Sequence, residues 1–261
     1  MNISYGIPLT PGYDEKQVQA LVDSIDLQGK QIFHDYEIIL CGEYRNDIRS
    51  SHEPVVIPFD ETMKPKWITA KKNRIIEKAR YDTLCLLHDY YLLGPEWYSG
   101  LLDFTMLINP RWKVLLNKIT TFEGTRHSDW LVNPSYMDEV IRRYPHLDQQ
   151  LRDYGPHERN GARFVNGLPY GEQGLRHIQY NSGGYILAKT DVFRETPFDE
   201  RYAWGEAAED LIWSEGVINK GHRFDFNPFS SCTLQKPGKW HLCEMTPECI
   251  RRLKEVFGED L

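Results

Sequence analysis

The chain has 261 residues, a formal net charge of −7, and 41% hydrophobic against 26% charged residues. This composition fits a packed core, excludes an extended disordered chain, and has the wrong sign for a protein that coats nucleic acid through net charge alone. There is no apolar run long enough to cross a bilayer, residues 1–5 lack the basic start of a signal peptide, and the odd count of five cysteines fits a reduced, cytoplasmic protein.

The first strand falls over residues 3–7 and is stopped by Pro8-Leu9-Thr10-Pro11-Gly12. Asp14 opens a helix to about residue 26, with Val18, Leu21, Val22 and Ile25 on one face. Strands follow over 35–42 and 54–59, then a helix over 68–79 that carries Lys71, Lys72, Asn73 and Arg74 in its first half. By composition alone that basic group is a solvated helix face. Residues 83–87 form a buried apolar strand ending in His88-Asp89-Tyr90. Strands alternating with helices imply a mostly parallel α/β sheet, in which ligands bind beyond the carboxyl ends of the strands.

Further on, a helix is expected over 97–107 and a strand over 112–119. Residues 120–179 are irregular and rich in Gly, Pro, Asn, Arg and Tyr. They contain one interrupted helical piece over 137–154, and 161–174 is the candidate flap. Arg142, Arg143, Arg152, Arg159 and Arg163 leave a local basic patch open in this part. Regular structure returns with the turn Asn181-Ser182-Gly183-Gly184, a strand to residue 188 and a short helix over 192–195. Glu209-Asp210 leads a helix to about residue 220 that Gly221 ends. Residues 224–227 read as a last edge strand, and 247–257 as an amphipathic tail helix. Cys232, His241, Cys243 and Cys249 match no common zinc spacing.

The ordered set of Ile7-Pro8, Lys72-Asn73, His88-Asp89, Asn181-Ser182-Gly183-Gly184 and Glu209-Asp210 resembles nucleotide-sugar glycosyltransferases of the GT-A fold. It is similar to the inverting family 2 type group, and the resemblance runs over roughly residues 3–230. It implies a single GT-A catalytic domain over 1–235, with a nucleotide-sugar half over about 1–105, an acceptor half over about 106–235, and a tail and helix over 236–261. The implied activity moves a sugar from a nucleoside-diphosphate sugar, UDP-linked, to an acceptor hydroxyl with inversion. The acceptor is a surface glycan, a lipid-linked sugar or a hydroxylated base of viral DNA.

The resemblance also assigns residues. Asp210 corresponds to the general base, with Glu209 or Glu206 toward the acceptor, and a helix N-terminus is expected to hold that carboxylate charged. His88 and Asp89 fall at the diphosphate, and Asp89 would bind Mn2+ or Mg2+, with His241 as a second ligand. Tyr90 stands where the group has a second carboxylate, and a phenol is a poor ligand near neutral pH. Lys72 and Asn73 fall at the nucleotide or its phosphates, and Gly183 and Gly184 lie under the donor phosphates and acceptor. Pro8, Glu43 and Asp47 fall at the base and ribose, and Trp204 is a candidate for sugar stacking. Two alternatives remain. One is a nucleotidyltransferase that makes nucleotide sugars, although the loop 8–12 lacks the basic residue such enzymes carry. The other is a carbohydrate-binding protein without activity on the same fold.

Overall fold

The computed structural model describes residues 1–32, 34–45, 47–122, 124, 131–132, 141–142, 145, 179–203 and 208–235. The expected flap over 161–174, most of the helix over 137–154, the tail helix, Arg143, Arg152, Arg159, Arg163, Trp204, Glu206, His241, Cys243 and Cys249 lie outside these residues.

The chain alternates β1 (Ile3–Pro8), α1 (Glu15–Ile32), β2 (Tyr36–Cys41), β3 (Val55–Ile57), α2 (Ile68–Lys78) and β4 (Thr83–Leu87). β5 (Tyr91–Leu93), α3 (Trp97–Asp103) and a π-helical turn (Phe104–Ile108) follow, then β6 (Val114–Thr120). β7 (Leu131–Val132) pairs with β8 (Gln179–Tyr180) in a small antiparallel ribbon. β9 (Tyr185–Lys189), α4 (Thr190–Glu195), α5 (Glu209–Asn219) and β10 (Phe224–Leu234) complete the described elements. The main sheet has the order β3-β2-β1-β4-β9-β6-β10-β5. β3, β2, β1 and β4 run parallel, β9 runs against both β4 and β6, and β5 runs against β10.

The inner strands are continuous apolar runs because both faces are covered. On one face Tyr5, Ile38, Cys85 and Leu87 meet Val18, Leu21, Val22 and Ile25 of α1 and Trp97 and Leu101 of α3. On the other, Ile39, Leu84 and Leu86 meet Ile75 and Ile76 of α2, Phe193 of α4 and Trp213 and Val217 of α5. Cys41, Cys85 and Cys232 are buried thiols in these layers, and burial pushes all three above the ordinary thiol range.

Two sequence expectations are corrected. α1 continues well past residue 26, because tertiary partners extend it. The Gln28 amide donates to the Gly94 carbonyl at 3.1 Å and accepts from Tyr98 N–H at 3.0 Å. Gly29 leaves room for the Tyr36 ring, which would lie 2.3 Å from a Cβ there. The strand expected at 224–227 is neither short nor at the edge: β10 runs to Leu234 between β6 and β5. Pro228 would confine an unbroken strand to an edge, but here the pairing with β6 shifts register between Asn227 and Ser231. Within that bulge the Asn227 side chain donates to Ser230 Oγ at 2.7 Å and accepts from Phe229 N–H at 3.0 Å.

Gly100 lies where α3 presses on this bulge, and a Cβ would sit 2.4 Å from the Phe229 carbonyl oxygen. Helix propensity favours alanine over glycine by about 1 kcal/mol, whereas forcing atoms into a filled contact costs about 1–3 kcal/mol. Both clashing partners are backbone, so the clash prevails: Gly100→Ala should lower unfolding stability in a urea titration, and a gain in midpoint would refute this packing.

Candidate active site

The carboxyl ends of β2, β1 and β4 and the amino end of the antiparallel β9 meet at one edge of the sheet, and α5 starts against the turn that enters β9. Pro8 ends β1 and pairs with Cys41 at the end of β2. Gly42, at φ +148°, then turns the chain into a loop carrying exposed Glu43 and, further on, Asp47. Asp47 accepts a 2.8 Å hydrogen bond from the Tyr13 hydroxyl, which burial and this carboxylate push up to about 12. Arg45 lies over the Tyr13 ring at 5.0 Å.

β4 delivers His88 and Asp89 to the same edge. Asp89 is only 6% exposed and accepts from the Thr10 hydroxyl at 3.2 Å, which ties it to the loop after β1. Tyr90 turns its hydroxyl to within 2.9 Å of His88 Nδ1. The His88 N–H donates to the Gly184 carbonyl at 2.9 Å, so the β4 end and the β9 turn are joined through the backbone.

That turn has no room for side chains. A Cβ on Gly184 would lie 2.6 Å from the Tyr91 ring and 2.9 Å from the Tyr90 hydroxyl, and one on Gly183 would lie 2.7 Å from Glu209 Oε1. Gly183 N–H donates to Asp210 Oδ2 at 2.8 Å, and Leu211 N–H donates to Asp210 Oδ1 at 2.9 Å. α5 is seated by a stack of Trp213 on Phe193 and Phe198, with centroids at 5.1 and 5.5 Å, and by Trp213 Nε1 donating to the Thr196 carbonyl.

The solvated face suggested by Lys71-Lys72-Asn73 does not form, since Lys71 and Lys72 are both buried. Lys71 donates to the Leu9 carbonyl at 2.7 Å and pairs with Glu61. Lys72 donates to the Gly183 carbonyl at 2.9 Å and pairs with Glu209 Oε1 at 3.2 Å, over the Phe198 ring. Asn73 exchanges hydrogen bonds with the Phe198 backbone and donates to Glu200, which fastens the loop before α5 to α2.

The helix N-terminus does not set the Asp210 carboxyl by itself. Burial first, and then the charge of Glu209, raise its carboxyl from 3.8 to about 6, against the opposing pull of Lys72 and the two N–H donors. A rise of that size is on the order of 3 kcal/mol against the charged form, while a helix end supplies about 0.3–1 kcal/mol. Near neutral pH the group is ionised and basic enough to take a proton.

Thr10 was not among the expected site residues, although its place just past the first strand is where ligands bind in such sheets. Gln235 was also missed. Its N–H donates to the Tyr90 carbonyl at 2.8 Å and its side chain to the Gln17, Asp89 and Tyr91 carbonyls at 3.0, 3.4 and 3.3 Å, steadying the turn that holds Asp89. A cavity of about 490 Å³ lined by Gly29, Lys30, His34, Tyr36 and His52 lies at the amino end of β2, away from this edge.

Toward a divalent cation the strand end offers the Asp89 carboxylate. The Tyr90 phenol is engaged with His88 Nδ1, and among the described residues no three His, Cys, Asp or Glu side chains are gathered as a metal cage. One carboxylate is a sufficient protein ligand for Mg2+ that is otherwise held by substrate phosphates and water.

The curled, mostly parallel sheet flanked by helices is that of a GT-A-type fold, as the sequence pattern implies. Among solved structures, S. aureus TarS matches over 90% of this chain and 37% of its own, at 14% identity and a TM-score of 0.52. TarS residues 1–349 match over 88% of this chain and 60% of theirs, at 11% identity and the same TM-score of 0.52. The chain thus spans less than two thirds of either TarS chain. No family model and no curated protein matches the sequence. Among the described residues no helix is long and apolar enough to cross a membrane.

Because Asp210 holds its proton to about pH 6 when folded, the folded state binds more protons than the unfolded chain from roughly pH 4 to 6 and loses stability as pH rises through that window. Asp210→Asn removes this contribution. Denaturation at stepped pH should show the variant gaining on the wild type up to about pH 6 and then running parallel to it. A constant difference across the window would contradict the shift.

Proposed function

We propose that the chain is a glycosyltransferase that moves a sugar from a nucleoside-diphosphate sugar, UDP-linked, to an acceptor hydroxyl with inversion. The observation that carries this is Asp210, held by Gly183 N–H at the sheet edge where β4 ends in Asp89. The GT-A-type fold supports the same assignment.

Asp210 accepts the acceptor's hydroxyl proton as that oxygen attacks the anomeric carbon. The bond from that carbon to the diphosphate breaks, and its electron pair leaves with the diphosphate. A single displacement inverts the anomeric centre. Asp89, and His88 beside it, face the diphosphate, and Pro8, Glu43 and Asp47 border the nucleoside. A bound Mn2+ or Mg2+ would supply charge neutralisation of the leaving diphosphate. Asp89 would hold it, with His241, outside the described residues, as the other proposed ligand. Gly183 and Gly184 let α5 and the β4–β5 turn close on the backbone that holds Asp210. The acceptor is a surface glycan, a lipid-linked sugar or a hydroxylated DNA base, and the net charge of −7 weighs against the last.

UDP release from UDP-glucose, UDP-galactose and UDP-N-acetylglucosamine in the presence of Mn2+ tests the activity. Asp210→Asn should fold, bind UDP and turn over about 10²- to 10⁴-fold more slowly; near-normal turnover would remove Asp210 from the role of base, and a retained anomer would rule out the single displacement.

Asp89 makes a separate prediction. Asp89→Ala should weaken UDP binding in the presence of Mn2+, read by calorimetry, together with turnover. Equal affinity in mutant and wild type would end its assignment to the diphosphate.

A further inference from the structure

The Glu209–Asp210 pair presents two carboxylates at one helix start, and their surroundings differ. Asp210 is gripped by two backbone N–H groups, from Gly183 and Leu211. Glu209 is 10% exposed and faces a lysine side chain that is fully buried. The same lysine holds the Gly183 carbonyl. One ammonium therefore spans the carbonyl of the residue whose N–H binds Asp210 and the carboxylate of the residue preceding Asp210.

We infer that Lys72 is a positioning residue: by clamping the Glu209 carboxylate and the Gly183 carbonyl together it fixes the start of α5 and the Gly183 N–H where they hold Asp210 as the proton acceptor. The inference rests on Asp210 being the base of the proposed transfer. It differs from the sequence expectation on two counts. Lys72 is spent on the protein's own oxygens and not on the donor phosphates, and Glu209 is the counter-charge of Lys72 and not an acceptor contact.

The charged and titratable groups around Asp210 come from each neighbouring element. α2 supplies Lys72 and α5 supplies Glu209. The turn between β4 and β5 supplies His88 and Tyr90 on the far side of Gly184. Of these, Glu209 raises the Asp210 carboxyl and Lys72 lowers it. Burial raises the Asp210 carboxyl most, and the two opposing neighbours are the pair that the Lys72 clamp holds in place.

The test needs no substrate. In full-length protein labelled with 13C at the aspartate and glutamate carboxyls, the Asp210 signal is assigned by its loss in Asp210→Asn and followed against pH. Glu209→Gln should lower the Asp210 midpoint by about one unit or more, and Lys72→Met should raise it by a similar amount. Lys72→Met should also bind UDP with Mn2+ within about twofold of wild type, since the clamp and not the phosphates uses the ammonium. An Asp210 midpoint that stays put in Glu209→Gln overturns the inference, as does a tenfold loss of UDP affinity in a folded Lys72→Met. Should Lys72→Met fail to fold, the Glu209→Gln titration decides alone. Rapid UDP release by Asp210→Asn would instead strike the assignment of the base, a result separate from either titration.

Discussion

The structure hangs on the lack of side chains at Gly183 and Gly184. Two walls close on this turn: Glu209 and Asp210 from α5 on one side, Tyr90 and Tyr91 from the β4–β5 turn on the other. Neither wall leaves space for a methyl group. The backbone that threads between them uses its polar groups on both sides, donating to Asp210 and accepting from His88 and Lys72. Strand end, helix start and buried lysine are therefore in contact through one dipeptide, and the site is assembled by the backbone before any ligand is considered.

What surrounds that dipeptide is seated by ordinary packing. The stack of Phe193, Phe198 and Trp213 places α5 against α4, and the Asn73 amide fastens the intervening loop to α2. α2 in turn sends Lys71 toward the loop after β1 and Lys72 toward the loop before β9. Two adjacent lysines on one helix thus reach opposite sides of the ligand edge. Their burial is tolerable because each finds a carbonyl and a carboxylate.

The inner strands and α2 were legible in the sequence because strands covered on both faces become uninterrupted apolar runs, and the glycine pair and the Glu-Asp pair stand out locally. β10 was not legible, because the feature that lets Pro228 sit inside the sheet is a bulge satisfied by Asn227 and Ser230 within the strand. Burial of Lys71 and Lys72 was hidden for another reason. A basic run on a helix takes its meaning from partners far along the chain, and the Lys72–Glu209 pair spans 137 positions. The raised Asp210 carboxyl was hidden on the same ground: a helix end is visible in sequence, whereas the desolvation that outweighs it is created only by the folded neighbours.

The antiparallel insertion of β9 has a mechanical consequence. Its ladder with β4 runs from Thr83 opposite Lys189 to Leu87 opposite Tyr185, with one partner per residue. A slip of one position would turn every β9 side chain to the opposite face, exchanging Tyr185 and Leu187 in one core layer for Ile186 and Ala188 in the other. The hydrophobic layers therefore act as a vernier for the edge that holds Asp89 and Asp210, and the spacing between the two is inherited from side chains that touch neither. Sequence change is most freely accommodated in the loop after β2, where Glu43 stands exposed, while β9 is the ruler that any redesign has to leave intact.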